Sequence, residues 1–422
     1  MTLFLGLFMI IIILITIKTN YKVFFNELFW MFIFWGLIIG VYIFSGVEWR
    51  YCVSIELLFY LLIVFLSFMF GRKYGYTRKV KVFYQKYSPK NLNIFCLLGL
   101  LGVLLFTIDY IRLNGLLTVK SGYNISIIGS LGYLLIPILL IVGLYIFAIN
   151  LVDNGKINIK AILLLIAYSI PCILNSGRES IVFIIIGIGA IYGYYAYFIK
   201  KSYRYINLKK FLVGLFIVFF IICTVCFIVH ISKERFGDNE VSTFLNTHSV
   251  KLAAIREAET WGNFEFLYYN IASYFSHQLS FLEFIFKEYH GPYMFGMYEL
   301  NIISRRLPTI LDLDYNLVYQ QLRQLYLLNG VSYSGDWFTI LGSLIVDFGR
   351  FGSIVFIYFC GYFCGIVKKK INLSNDIRYV VLRAIICICM FSSIQLGPFY
   401  NILIYGAFIW WLIIFREKEI MK

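Results

Sequence analysis

The feature that most constrains this chain is the recurrence of apolar runs about as long as a bilayer is thick. A membrane span needs about 20 predominantly apolar residues. Such runs occupy roughly residues 2–17, 28–45, 52–70, 92–111, 127–149, 160–175, 180–198, 211–231, 338–367, 378–396 and 398–415. Only 14% of residues are charged and 61% are hydrophobic, with a mean hydropathy of +0.82. A soluble domain is nearer half apolar, and one of this composition would expose large apolar patches to water. The expected fold is therefore an all-α polytopic membrane protein with about eleven transmembrane helices.

The net charge of +15 is spread over the connections and does not form one patch, so it bears on orientation and gives no sign of a nucleic-acid partner. Lys and Arg crowd alternate short connections: Arg72 to Lys90, Lys200 to Lys210, Lys18 with Lys22, Lys156 with Lys160, Lys368 to Arg378, and Arg416 to Lys422. Short basic connections stay on the cytoplasmic side. This predicts the N-terminus outside, the C-terminus inside, and one large external loop at 232–337. The chain then divides into spans one to eight (1–231), the loop (232–337), and spans nine to eleven with a short tail (338–422).

The nine cysteines sit in or beside apolar runs and read as small packing residues. Cys223 and Cys226 have CxxC spacing but lie inside a span without βαβ context, and no metal-ligand spacing appears. No metal and no cofactor are expected. The run Met1 to Ile17 lacks a basic start and a small-residue cleavage site, and reads as a retained first span.

A loop as long as 232–337 is usually functional. Residues 264–286 within it are apolar enough to imitate a span, but a crossing there would move Lys368 to Lys370 outside. They are expected to lie on the membrane or in the mouth of the bundle. Ser242 or Asn246 fits a helix cap, DYNLVYQQLRQLYLL reads as a helix, and Asn329-Gly330 as a turn.

The run after the loop is longer than a bilayer needs. Counting back about 20 residues from Lys368 puts Asp347 and Arg350 at the outer boundary. Residues 336–346 must then project outward or re-enter, with Gly349 and Gly352 permitting the break. Arg178 and Glu179 lie in a tight outer turn, and Asp109 and Arg112 end another span there.

Arg178, Arg256, Arg305, Arg306 and Arg350 are thus candidates to converge over one outward cavity. Simpler roles stand beside this: Arg350 pairing with Asp347 and Arg112 with Asp109 at i, i+3, Arg305-Arg306 meeting lipid headgroups, and Arg383 snorkelling from its span end.

These residues resemble a family. Asn175-Ser176-Gly177-Arg178 is followed by an apolar helix, then by the long loop ending in Gly335-Asp336-Trp337-Phe338-Thr339. Val346-Asp347-Phe348-Gly349-Arg350-Phe351-Gly352 then leads into a span with Gly361 and Gly365. This order is similar to that of the Wzy-type oligosaccharide repeat-unit polymerases of O-antigen and capsular polysaccharides.

The resemblance implies an enzyme of the bacterial cytoplasmic membrane, with undecaprenyl-diphosphate-linked oligosaccharide as donor and acceptor. Membrane lipids, a chain-length regulator and a flippase are its expected associates. Family members depend on external-loop arginines, a role that falls here to Arg178 and then to Arg305 or Arg306.

The chemistry fits: displacing a lipid diphosphate from an anomeric carbon builds charge that fixed guanidinium groups stabilise. The acceptor hydroxyl needs a base, drawn from Asp336, Asp347, Glu179, His277 or His290, with Asp336 preferred because it opens the next span. His277, His290 and Asp347 also join the substrate-binding set. An O-antigen ligase and a transporter or flippase of lipid-linked sugars are the competing expectations.

Overall fold

A computed structural model describes residues 27–44, 49–80, 92–115, 126–174, 179–199, 277–300, 316–329, 339–394 and 401–415. The described residues are helical, with no strand among them. In chain order the helices are α1 (Glu27–Phe44), α2 (Ile55–Thr77), α3 (Leu92–Asn114), α4 (Ile127–Leu135), α5 (Pro137–Asn154), α6 (Ile159–Leu174) and α7 (Glu179–Tyr194), the last ending in a π-helical turn, Tyr195–Ile199. They continue as α8 (277–288), α9 (Asn316–Leu328), α10 (Ile340–Ser374), α11 (Ile377–Ser392) and α12 (Ile402–Ile414). The expected spans 2–17 and 211–231 lie outside the described residues.

Local chemistry sets the ends. Ser54, Asp376 and Asn401 each accept a backbone N–H from the first turn of α2, α11 and α12, supplying donors that a helix start otherwise leaves without a partner. Pro137, which has no N–H to satisfy, splits the run expected as one span at 127–149 into α4 and α5.

Four segments are long and apolar enough to cross a membrane: Ile55–Thr77, Leu92–Asn114, Ile127–Asn154 and Ile340–Ser374. Their surfaces say the same. Ile55, Phe59, Ile63, Leu66, Phe70 and Tyr74 form an exposed stripe at helical spacing on α2, and Ile94, Leu97, Leu101, Leu104 and Ile108 form another on α3. Stripes of that length facing water would aggregate, whereas against lipid they cost nothing. The chain is a helical membrane protein. Pro137 to Ala148 of α5 and Arg378 to Cys389 of α11 are buried throughout and make the centre of the bundle.

The closest helix contact joins α2 to α10. Gly71 and Gly75 face Gly361 and Gly365, and a Cβ added at any of the four would penetrate the backbone of the opposing helix. At Gly361 it would lie 2.9 Å from the Phe68 carbonyl carbon, and at Gly365 it would lie 2.7 Å from the Tyr76 nitrogen. Small residues at this spacing let two backbones touch, which is how helices associate where lipid removes the hydrophobic drive. The exposed hydrogens of the glycine Cα atoms meet carbonyl oxygens there. Arg72 and Arg383 both pair with Glu27, which is buried at the start of α1. Arg383 itself is 3% exposed. It does not snorkel to the surface as expected, because a carboxylate far away in sequence meets it inside the bundle.

Candidate functional site

The polar interior gathers where α10 breaks. Gly349 has φ 72 and ψ 176, non-helical angles in the middle of a 35-residue element, in a region that essentially only glycine occupies. Residues 350–374 continue as one helix, and Ile340 to Asp347 form a separate half-helix buried along its whole length.

Its direction follows from one hydrogen bond, from the Ile340 N–H to the Ser393 carbonyl at 2.9 Å. A straight α10 would carry residue 340 roughly 50 Å from residue 374, while the 16 residues of α11 rise only about 24 Å from nearly the same starting level. For Ile340 to reach Ser393, the half-helix must turn back into the bundle. Of the two alternatives for residues 336–346, re-entry is therefore the one found for the described part. The Ser393 hydroxyl also accepts from Trp35 Nε1 at 3.3 Å, which fixes the same spot against α1.

Asp347, fully buried, holds the break in place. Its two oxygens accept the N–H groups of Tyr298 and Glu299 at 2.8 and 3.0 Å. The Met294 and Phe295 N–H groups donate to the carbonyls of Val346 and Asp347. Arg350, one residue beyond the break, donates to the Phe286 carbonyl, and its guanidinium lies 4.2 Å from the centre of the Phe286 ring. The expected Asp347–Arg350 pair is absent, because Gly349 interrupts the helical geometry that brings i and i+3 together. The corresponding Arg112–Asp109 pair, on unbroken helix, does form at 3.3 Å.

Helix α8 closes the other side. Residues 277–286 are buried, so this part of the expected interfacial segment occupies the bundle mouth and not the open membrane surface. Glu283 accepts the N–H and hydroxyl of Ser54 at 2.9 and 3.0 Å, tying α8 to the start of α2, and its other oxygen pairs with Lys287 at 2.8 Å. That pairing holds the Lys287 ammonium above its ordinary range. The Tyr289 hydroxyl, which donates to the Pro292 carbonyl, is pushed upward by burial and then by the nearby Asp347 carboxylate.

Among the expected site residues, Asp347 and His277 lie in this buried region, His277 being 2% exposed with its ring edge-on to Phe281. Arg350 borders the region and His290 is exposed on the connection after α8. Glu179 opens α7 elsewhere, half-buried, and accepts from Asn401 at 2.6 Å. Arg178, Arg256, Arg305, Arg306 and Asp336 lie outside the described residues, as do Cys223 and Cys226.

Several groups escaped the sequence reading. Gln278, Ser280, Glu299, Thr339 and Ser343 are all buried here. The hydroxyls of Ser280, Thr339 and Ser343 have no hydrogen-bond partner among the described residues. Thr339 directly before an apolar run is an N-cap signal, and that cue would have found the half-helix start. No group of three or more His, Cys, Asp or Glu suited to a metal occurs among the described residues. The cysteines described are free thiols.

The arrangement has a plain chemical character. The first N–H groups of a helix carry partial positive charge, and here that end is turned into the protein interior beside unpartnered hydroxyls. Such a place favours anionic or hydroxyl-rich ligands. No protein-family profile, characterised protein or solved structure matches the chain.

Proposed function

We propose that this chain is a membrane glycosyltransferase that polymerises undecaprenyl-diphosphate-linked oligosaccharide repeat units into a surface polysaccharide. In this reading it crosses the bacterial cytoplasmic membrane eleven times, with its N-terminus outside, its C-terminus inside, and the Gly349 break facing outward. One observation carries the reading. Two of the motifs on which the family resemblance rests, Gly335 to Thr339 and Val346 to Gly352, are separated in sequence by little more than one re-entrant half-helix, which Thr339 precedes and Gly349 ends. Thr339 and the Asp347 to Gly349 break thereby become the two ends of one structural device.

Asp336 is three residues before Thr339 in the sequence. A base there can take the proton from the acceptor hydroxyl as that oxygen bonds to the anomeric carbon of the growing glycan. The bond from that carbon to the lipid diphosphate breaks, and the diphosphate leaves with the electron pair. Arg178 and Arg305 or Arg306 stabilise the departing charge by paired hydrogen bonds. The half-helix dipole adds to this if the phosphates approach its start.

Deleting the gene tests the assignment. A polymerase mutant leaves single repeat units on the final acceptor, whereas a ligase mutant accumulates whole chains on the carrier lipid. Unchanged long chains on the normal acceptor would refute both.

One observation favours a second reading. Broken helices with buried helix ends also build transporter sites, so movement of lipid-linked units without their elongation is the alternative.

A further inference from the structure

The opposite end of the bundle, where α2 and α10 stop, carries a strong surplus of positive charge. Arg72, Lys73, Arg78 and Lys79 come from α2 and its exit, Lys368, Lys369 and Lys370 from α10, and Arg378 from α11. Among the described residues the acids at this end are Glu27 and Asp376, which hold arginines, and Asp153 at the end of α5. A surplus on this face orients the protein, but orientation does not require the cations to be held in fixed places, and here they are.

The Lys369 ammonium donates to the carbonyls of Thr77 and Arg78 at 3.3 and 2.6 Å, closing the end of α2. Arg78 donates through Nη1 to the Tyr362 hydroxyl at 2.6 Å, with its guanidinium 5.9 Å from that ring's centre. The Lys368 ammonium stands 5.3 Å over the Tyr76 ring, and Asn372 donates to the Tyr76 hydroxyl at 3.1 Å.

What lies beside the cations names the occupant. The exposed apolar stripe of α2 runs through Ile63, Leu66, Phe70 and Tyr74. The next position on that face is Arg78, whose N–H bonds the Tyr74 carbonyl. The Tyr74 ring lies 5.9 Å from the Tyr362 ring, to which Arg78 is tied. One helix face therefore passes from exposed hydrocarbon through tyrosine to a guanidinium. Nucleic acid or an acidic protein would use the cations and leave the stripe unexplained, while an anionic diacyl phospholipid uses both.

Arg78 spends one of its five N–H donors on Tyr362, so its fork can still bind a phosphate. We propose that the α2–α10 end seats an anionic phospholipid, its phosphate on the Arg78 fork and on the Lys369 ammonium that meets the Arg78 carbonyl, and an acyl chain along Ile63 to Tyr74.

The test uses the full-length purified protein with phosphatidylglycerol or phosphatidylcholine of identical chains, reading retained lipid by native mass spectrometry. Phosphatidylglycerol should be retained at least about 25-fold better, roughly fivefold for each of the two cations. Removing one juxtamembrane cation weakens anionic-lipid binding roughly fivefold, so Arg78→Gln and Lys369→Gln should each do so and the double variant should lose about 25-fold. Lys369→Arg and Arg78→Lys should keep most of the preference. Phosphatidylcholine retention should be unchanged in all of them, which separates a lost site from a damaged fold.

Equal retention of the two lipids, or undiminished preference in the double variant, would overturn the proposal. Displacement of the lipid by equimolar inorganic phosphate would do the same, by showing a site for a free anion. If the double variant is not monodisperse, Arg78→Gln alone decides.

Discussion

Substituting Gly349 by alanine is the sharpest way to ask whether the break in α10 is built in. At φ 72 and ψ 176 an L-residue carries strain of about 1 to 3 kcal/mol. Its Cβ would also lie 3.0 to 3.2 Å from ring atoms of Tyr293, short of ordinary carbon contact by about half an ångström, adding about 1 kcal/mol. The total is about 2 to 4 kcal/mol.

The chain can escape this only by straightening. That would strip the buried Asp347 of two charge-assisted hydrogen bonds, each contributing about 1.5 to 3 kcal/mol, along with the backbone bonds from Met294 and Phe295. Straightening costs more than the strain, so Gly349→Ala should keep the break and lose stability. Expressed beside it, Gly40→Ala supplies the control, since a Cβ there meets nothing within 4 Å. It should be neutral, or stabilising by up to about 1 kcal/mol. Thermal midpoints of the two purified variants are the readout. A Gly349→Ala midpoint equal to wild type would refute the reasoning, because it would mean that α10 straightens without penalty.

Three further outcomes follow from the same structure. Gly361→Ala should cost about 1 to 3 kcal/mol by forcing α2 and α10 apart, and adding Gly365→Ala should cost less than the sum, since the first substitution has already opened the seam; additive midpoints would show that the two glycines do not share one contact. Glu27→Gln takes from Arg72 and Arg383 the carboxylate they share and should cost about 3 to 5 kcal/mol, part of it recovered in Glu27→Gln/Arg383→Met; a Glu27→Gln protein of wild-type midpoint would count against the buried triad. Arg178→Ala should abolish polymer while membrane levels hold, with Arg178→Lys rescuing poorly because an ammonium lacks the fork; normal chain length would remove Arg178 from the site.

The membrane helices were legible because their signal is local. The runs at 28–45 and 160–175 appear as Glu27–Phe44 and Ile159–Leu174, and DYNLVYQQLRQLYLL contains the helix Asn316–Leu328. The break in α10 was legible too, since 35 residues exceed a bilayer and Gly349 stands where the excess begins. Its direction was not, because it depends on a bond between Ile340 and Ser393, a contact with no trace in local spacing.

The misread residues share that cause. Arg383 lies at a span end, where snorkelling is the ordinary expectation, and only the fold brings Glu27 to it. Asp347 and Arg350 have the spacing of a pair, but the intervening glycine sends one to a turn and the other to Phe286. Glu283 reads as a polar residue on an amphipathic helix and becomes the anchor of Ser54. Carboxylates in this bundle cap distant backbone, and capping across the fold is invisible to periodicity.

If the chain joins lipid-linked repeat units, the purified protein will elongate them without any other component. Full-length protein in liposomes would be given a single undecaprenyl-diphosphate-linked repeat unit, and the glycans released from lipid would be resolved by length. The expected result is a ladder rising by whole repeat units, with free undecaprenyl diphosphate in step with each bond formed, and neither with Arg178→Ala. Repeat units that reach the opposite leaflet with no gain in length would contradict it.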